Sequence, residues 1–128
     1  MQNPNTAVES YRQYTRGDAL RDGLLIDLTD SPQAPRAKLR LPTAITKAAW
    51  DRYIEYPVGP FAKFRVWDIL WMASLAIRQS DHHRQVSYFR IPLRDLEGAR
   101  LPTSASLKAV YGSDEQGGRV VTIMLPEE

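Results

Sequence analysis

The sequence contains no cysteine and only two histidines, His82 and His83, which stand side by side. Without cysteine there can be no disulfide, no thiolate nucleophile and no zinc site built on sulfur; the composition fits a reducing compartment, and a cytoplasmic location is expected. Neighbouring residues point to opposite faces of a strand and diverge by about 100° on a helix, so adjacent histidines rarely hold one metal together. The segment Asp81-His82-His83 therefore reads as an exposed loop, and no metal site is expected. Long apolar runs are also missing. The longest, residues 69–77, is interrupted by Ser74 and falls far short of the ~20 residues that cross a bilayer, so no membrane contact is expected. Residues 1–6 show no basic stretch followed by an apolar one, so neither a signal peptide nor a transit peptide is expected.

The motifs of common catalysis are absent in the same way. The glycines at 112, 117 and 118 lie in a hairpin pattern and lack the lysine of a phosphate-binding loop. Ser74, Ser87, Ser104 and Ser106 have no nucleophile-elbow context. No catalytic residue and no cofactor is assigned, and the chain is expected not to be an enzyme.

What is present is one domain's worth of chain, 128 residues, with 17 Lys+Arg against 15 Asp+Glu. The charge is unevenly placed: residues 36–100 hold twelve basic and six acidic residues, whereas the segments on either side are each net acidic. Thirteen of the cations are arginine, whose planar fork suits carboxylate and phosphate contacts and stacks on aromatic rings. The candidate interaction surface is Arg36, Lys38, Arg40, Arg78, Arg84, Arg90, Arg94 and Arg100; the competing reading is that dispersed arginines simply solvate outer faces. Trp50, Trp67, Trp71, Tyr53, Tyr88 and Phe89 could stack bases if exposed beside arginines. Core packing competes here, since the tryptophans fall at helical packing intervals.

Along the chain, residues 1–13 read as a flexible tail and 14–128 as a single α+β domain. Thr15 with Asp18 forms a capping-box pattern and Gly23 a stop, predicting a short helix over 16–22. A strand follows over 24–29, then loop chemistry over 30–35 with Pro32 and Pro35. Thr46 is placed to cap a helix over 47–55. Residues 64–79 are apolar around most of a helical circumference, which predicts a helix buried on several sides, with Asp68 in its first turn and Arg78 near its end complementing the dipole. The period then changes. Phe89, Ile91 and Leu93 alternate with polar neighbours, Pro92 marks a sheet edge or strand end, and residues 107–111 and 119–125 form a hairpin around a long polar loop. The predicted architecture is two to three helices packed on a C-terminal antiparallel β-meander.

Five segments together carry a resemblance: Asp22-Gly23-Leu24-Leu25-Ile26-Asp27-Leu28-Thr29, Thr46-Lys47-Ala48-Ala49-Trp50, Trp67-Asp68-Ile69-Leu70-Trp71-Met72-Ala73, Leu107-Lys108-Ala109-Val110 and Val121-Thr122-Ile123-Met124-Leu125-Pro126. From about Tyr14 onward the chain resembles a family of small uncharacterised proteins carried on bacterial plasmids and other mobile elements. It departs from that pattern in a short insert over 57–63 and in Ser113, which replaces a proline-glycine turn. The resemblance implies a context and no activity. With it, the leading expectation is a non-catalytic accessory binding protein that inhibits a host nucleic-acid-handling defence complex, of anti-CRISPR or antirestriction type. Its partner would be a host protein or ribonucleoprotein, with nucleic acid as a further partner. DNA mimics are strongly acidic and this chain is mildly basic, which excludes mimicry. One alternative is a small metal-independent RNase of RelE-like or barnase-like fold using Thr122, Lys108 and Arg119, with His82 or His83 as the missing base. Another is a DNA-binding regulator, although no helix shows a basic recognition face.

Overall fold

A computed structural model describes residues 14–29, 41–55, 62–79, 85–93 and 104–128. It contains three helical segments and one five-stranded sheet, an α+β domain. The segment expected to be a tail (1–13) and the whole of the 30–35 loop lie outside the described residues, as do His82 and His83.

The first helix, α1 (Arg16–Arg21), is set by its ends. The Thr15 side chain accepts from the Asp18 amide at 3.1 Å while the Asp18 carboxylate accepts from the Thr15 amide at 3.0 Å, a reciprocal cap. At the other end Gly23 adopts φ +77°, the Leu24 amide donates to the Ala19 carbonyl and the Gly23 amide to the Leu20 carbonyl. That pairing is the Schellman arrangement, and the left-handed residue in it is the one glycine tolerates best. The chain then enters β1 (Leu25–Asp27).

Strand β2 (Thr43–Thr46) was not expected from the sequence. It pairs antiparallel with β1 and parallel with β5 (Arg119–Met124), so the C-terminal meander of β3 (Val86–Pro92), β4 (Ser104–Ser113) and β5 is only part of a larger mixed sheet of order β1-β2-β5-β4-β3. At its end Thr46 caps α2 as expected, accepting from the Ala49 amide at 3.2 Å. This helix is α-helical over Lys47–Trp50 and continues as a wider π-type turn over Asp51–Glu55.

The long helix α3 spans Ala62–Gln79. It begins earlier than expected, which leaves Asp68 beyond its first turn, while Arg78 does lie in its last. Strand β3 (Val86–Pro92) ends on proline and is the edge of the sheet; β4 (Ser104–Ser113) and β5 complete the antiparallel meander. The hairpin between them is tighter than expected, because β4 runs on to Ser113 and only residues 114–118 turn, with Gly117 at φ +83°.

Strand parity divides the sheet into two faces. Ile26, Ile45, Val121, Ile123, Ala105, Leu107, Ala109, Phe89 and Ile91 share the inner face, where they meet Ala49 and Ile54 of α2 and Val66, Ile69, Leu70 and Ala73 of α3. Arg65, itself buried, joins the two helices by donating to the Tyr53 carbonyl at 2.9 Å. The outer face is covered at its β1–β2–β5 end by α1: Arg16 donates to the Thr122 hydroxyl and, at 2.9 Å, to the Val121 carbonyl. Burial of Ala44 and Val120, which have outer-face parity, agrees with this cover.

Candidate interaction surface

Helix α3 is apolar nearly all round, and the sheet and α2 bury one side of it fully. Ile69 and Leu70 are fully buried, whereas Phe64 is 57% exposed and Trp67, Trp71, Met72 and Leu75 are half-buried. Trp67, Trp71, Met72, Ala76 and Ile77 also pack against the core cluster, so of the helix's described side chains only Phe64, Arg78 and Gln79 are exposed. On the half-buried side the Trp67 and Trp71 rings stack at 5.6 Å with an interplanar angle of 21°. Their spacing of four residues puts them one above the other. Arg78 continues the ladder, its guanidinium 5.8 Å from the Trp71 ring centroid and donating to the Ser74 hydroxyl at 3.0 Å and the Ser74 carbonyl at 3.3 Å. An aromatic ridge with an arginine at one end is the composition that dominates binding energy in protein interfaces.

Beside the ridge, a groove of about 490 Å³ separates α3 from the sheet edge, lined by Met72, Leu75, Ala76 and Gln79 on the helix and residues 86–90 on β3. Over the edge, on the outer face, stand Tyr88, 68% exposed, and Arg90, also exposed. Neither side chain makes a hydrogen bond or ion pair among the described residues. Lys108, opposite Tyr88 in register, is held by the C-terminal carbonyls of Pro126 and Glu128 at 3.2 and 2.8 Å.

Of the eight cations read as an interaction surface, only Arg78 and Arg90 lie in described segments; Arg36, Lys38, Arg40, Arg84, Arg94 and Arg100 fall outside them. The two that are placed do not form one patch. Arg78 lies along α3 above the inner face, and the parity of β3 sends Arg90 to the outer face.

The RNase trio is not gathered either. Thr122 is engaged by Arg16 and Lys108 by the C-terminus. Arg119 has the opposite strand parity and donates to the Tyr111 hydroxyl at 3.0 Å. Among the described residues no group of three or more His, Cys, Asp or Glu could hold a metal ion, and no helix is long and apolar enough to cross a membrane. Comparison with protein-family models, curated proteins and solved structures yields no match.

The groove was not legible at the sequence level, whereas Pro92 marked β3 as a sheet edge or strand end, and it is both.

Proposed function

We propose that the protein is a non-catalytic accessory binding protein of a mobile element that inhibits a host nucleic-acid-handling defence complex, docking through the tryptophan side of α3. The observation that carries this reading is the Trp67–Trp71 stack with Arg78 over Trp71, which keeps accessible aromatic surface while its inner side packs against the core. Such surface is costly in water and is characteristic of a contact site. The arginine-rich middle of the sequence, with Arg78 on the ridge, favours an acidic protein surface or nucleic acid as the thing contacted. The resemblance to plasmid-borne proteins supplies the defence context.

The test is a plasmid-transformation assay in cells carrying an active CRISPR or restriction system that targets the incoming plasmid. Expression of the chain is expected to raise transformation by about tenfold or more, and Phe64→Glu, at a position 57% exposed, is expected to abolish the gain with the far-ultraviolet spectrum unchanged; about 1.4 kcal/mol of lost binding accounts for each factor of ten. Unchanged transformation with the wild-type chain across both kinds of system would refute the inhibitor reading.

A further inference from the structure

The edge of the sheet at β3 carries hydrogen-bonding groups that the described residues do not use. The Tyr111 amide donates to the Gln85 carbonyl at 2.7 Å, and the antiparallel register runs from Val86↔Val110 to Pro92↔Ser104. In such a ladder, hydrogen-bonded and non-bonded pairs alternate. Residues 85, 87, 89 and 91 therefore bond to β4, while the backbone N–H and C=O groups of Val86, Tyr88 and Arg90 point away from it. No described segment pairs with them. Proteins usually protect such an edge with charge, proline or a bulge; among the described residues the protection within reach is Arg90 and the terminal Pro92.

From this edge we infer that the protein self-associates as a two-fold dimer, β3 pairing antiparallel with β3 of a second copy about Tyr88. The inference goes beyond the proposed function and does not rest on it. The free groups are symmetric about residue 88, so Tyr88 faces its own copy and Val86 faces Arg90 of the other chain. Three bonded pairs of that kind exchange about six backbone hydrogen bonds. No like charges meet, because each Arg90 stands opposite a valine and not opposite its own copy. Pro92, lacking an N–H, ends the register where the symmetric pairing ends.

The helix above the edge fits the same occupant. Met72, Leu75, Ala76 and Gln79, at i, i+3, i+4 and i+7, present one uncharged, mainly apolar flank toward the groove. Ala76 at its centre permits close approach of a second α3 over the seam. An isologous contact needs a surface that complements itself, and this flank has no charge to oppose its own image. The outcome would be a continuous ten-strand sheet with two copies of the aromatic ridge on one side and two Tyr88–Arg90 pairs on the other.

The test is sedimentation velocity on the full chain at micromolar concentration. The wild type is expected at twice the 14.6 kDa of one chain, and Tyr88→Phe, which keeps the backbone donor, is expected to match it. Tyr88→Pro removes an N–H that no internal ladder bond uses, and is expected to weaken dimerisation by about tenfold or more with an unchanged far-ultraviolet spectrum. Ala76→Glu, placed where the two helices meet, is expected to do the same from the other element. A wild type that stays monomeric, or a dimer that both Tyr88→Pro and Ala76→Glu leave intact, overturns the inference. So does a monomer that instead gains a strand from an added peptide, seen as protection of the Tyr88 amide from hydrogen exchange.

Discussion

Arg16 is the residue whose replacement should reveal how the N-terminal helix is held. A six-residue helix cannot persist alone in water, and α1 buries little of itself besides Asp18. Its anchor to the sheet is the Arg16 guanidinium, which reaches across to the Thr122 hydroxyl and the Val121 carbonyl. Replacing Arg16 by methionine keeps most of the apolar stem and removes both donors. Hydrogen bonds from a charged donor contribute about 1.5–3 kcal/mol each where they are well formed. Burial, however, already works against the charge: the guanidinium pKa is lowered, first by desolvation, with Asp27, Asp114 and Glu115 opposing that shift. The net loss is therefore placed near the lower end, at about 2 kcal/mol, or roughly 6–10 °C in Tm for a domain of this size.

Thr122→Val removes one acceptor and should cost about 1 kcal/mol. In the double variant the losses should fall short of additivity by about 1 kcal/mol, since the two residues share a bond. Urea unfolding followed by tryptophan fluorescence reads all four proteins, because the three tryptophans lie on α2 and α3 and report global unfolding. A loss below about 0.5 kcal/mol for Arg16→Met, or strict additivity with Thr122→Val, would show that α1 is not held this way.

Two further expectations concern the helix and the C-terminus. Ile69→Ala, at a fully buried position, should cost about 3–4 kcal/mol, whereas Gln79→Ala, exposed in the last turn, should change stability by less than about 0.5 kcal/mol; the contrast, measured by chemical denaturation, checks which side of α3 the core engages. The Glu127 carboxyl is held below its ordinary pKa, first by its own backbone amide and then by Arg52, which donates to it at 2.9 Å. A folded pKa below the unfolded one means that the contact stabilises above the unfolded carboxylate value and is lost as pH falls through the depressed folded value. Arg52→Ala should move the Glu127 titration part of the way back up, as read by carboxyl-carbon NMR.

Local chemistry made several elements legible in the sequence. Thr15, Asp18 and Gly23 fix the ends of α1, Thr46 starts α2, and the alternation through Phe89, Ile91, Leu107 and Ala109 reports a sheet with one buried face. Strand β2 was not legible because Thr43-Ala44-Ile45-Thr46 is four residues long with one large apolar side chain, wedged between Pro42 and a helix cap. It is a strand because β1 and β5 flank it, and that pairing joins residues far apart in sequence. The arginines illustrate the same limit. Nothing near Arg78 or Arg90 says that one will lie over a tryptophan and the other emerge on the far face of the sheet; only the strand order and parity decide it. The tryptophan ladder, by contrast, is written in the spacing of Trp67 and Trp71, and what the fold added was that both rings pack against the core and stay half-exposed.

Site-specific photocrosslinking tests most directly whether the tryptophan side of α3 is the contact site. Benzoylphenylalanine at position 64, replacing one exposed aromatic residue by another, should give a light-dependent adduct with a subunit of the defence complex in cells. The same probe at Leu24, equally accessible but at the opposite edge of the sheet, should give none. An adduct at Leu24 with none at Phe64 would contradict the account.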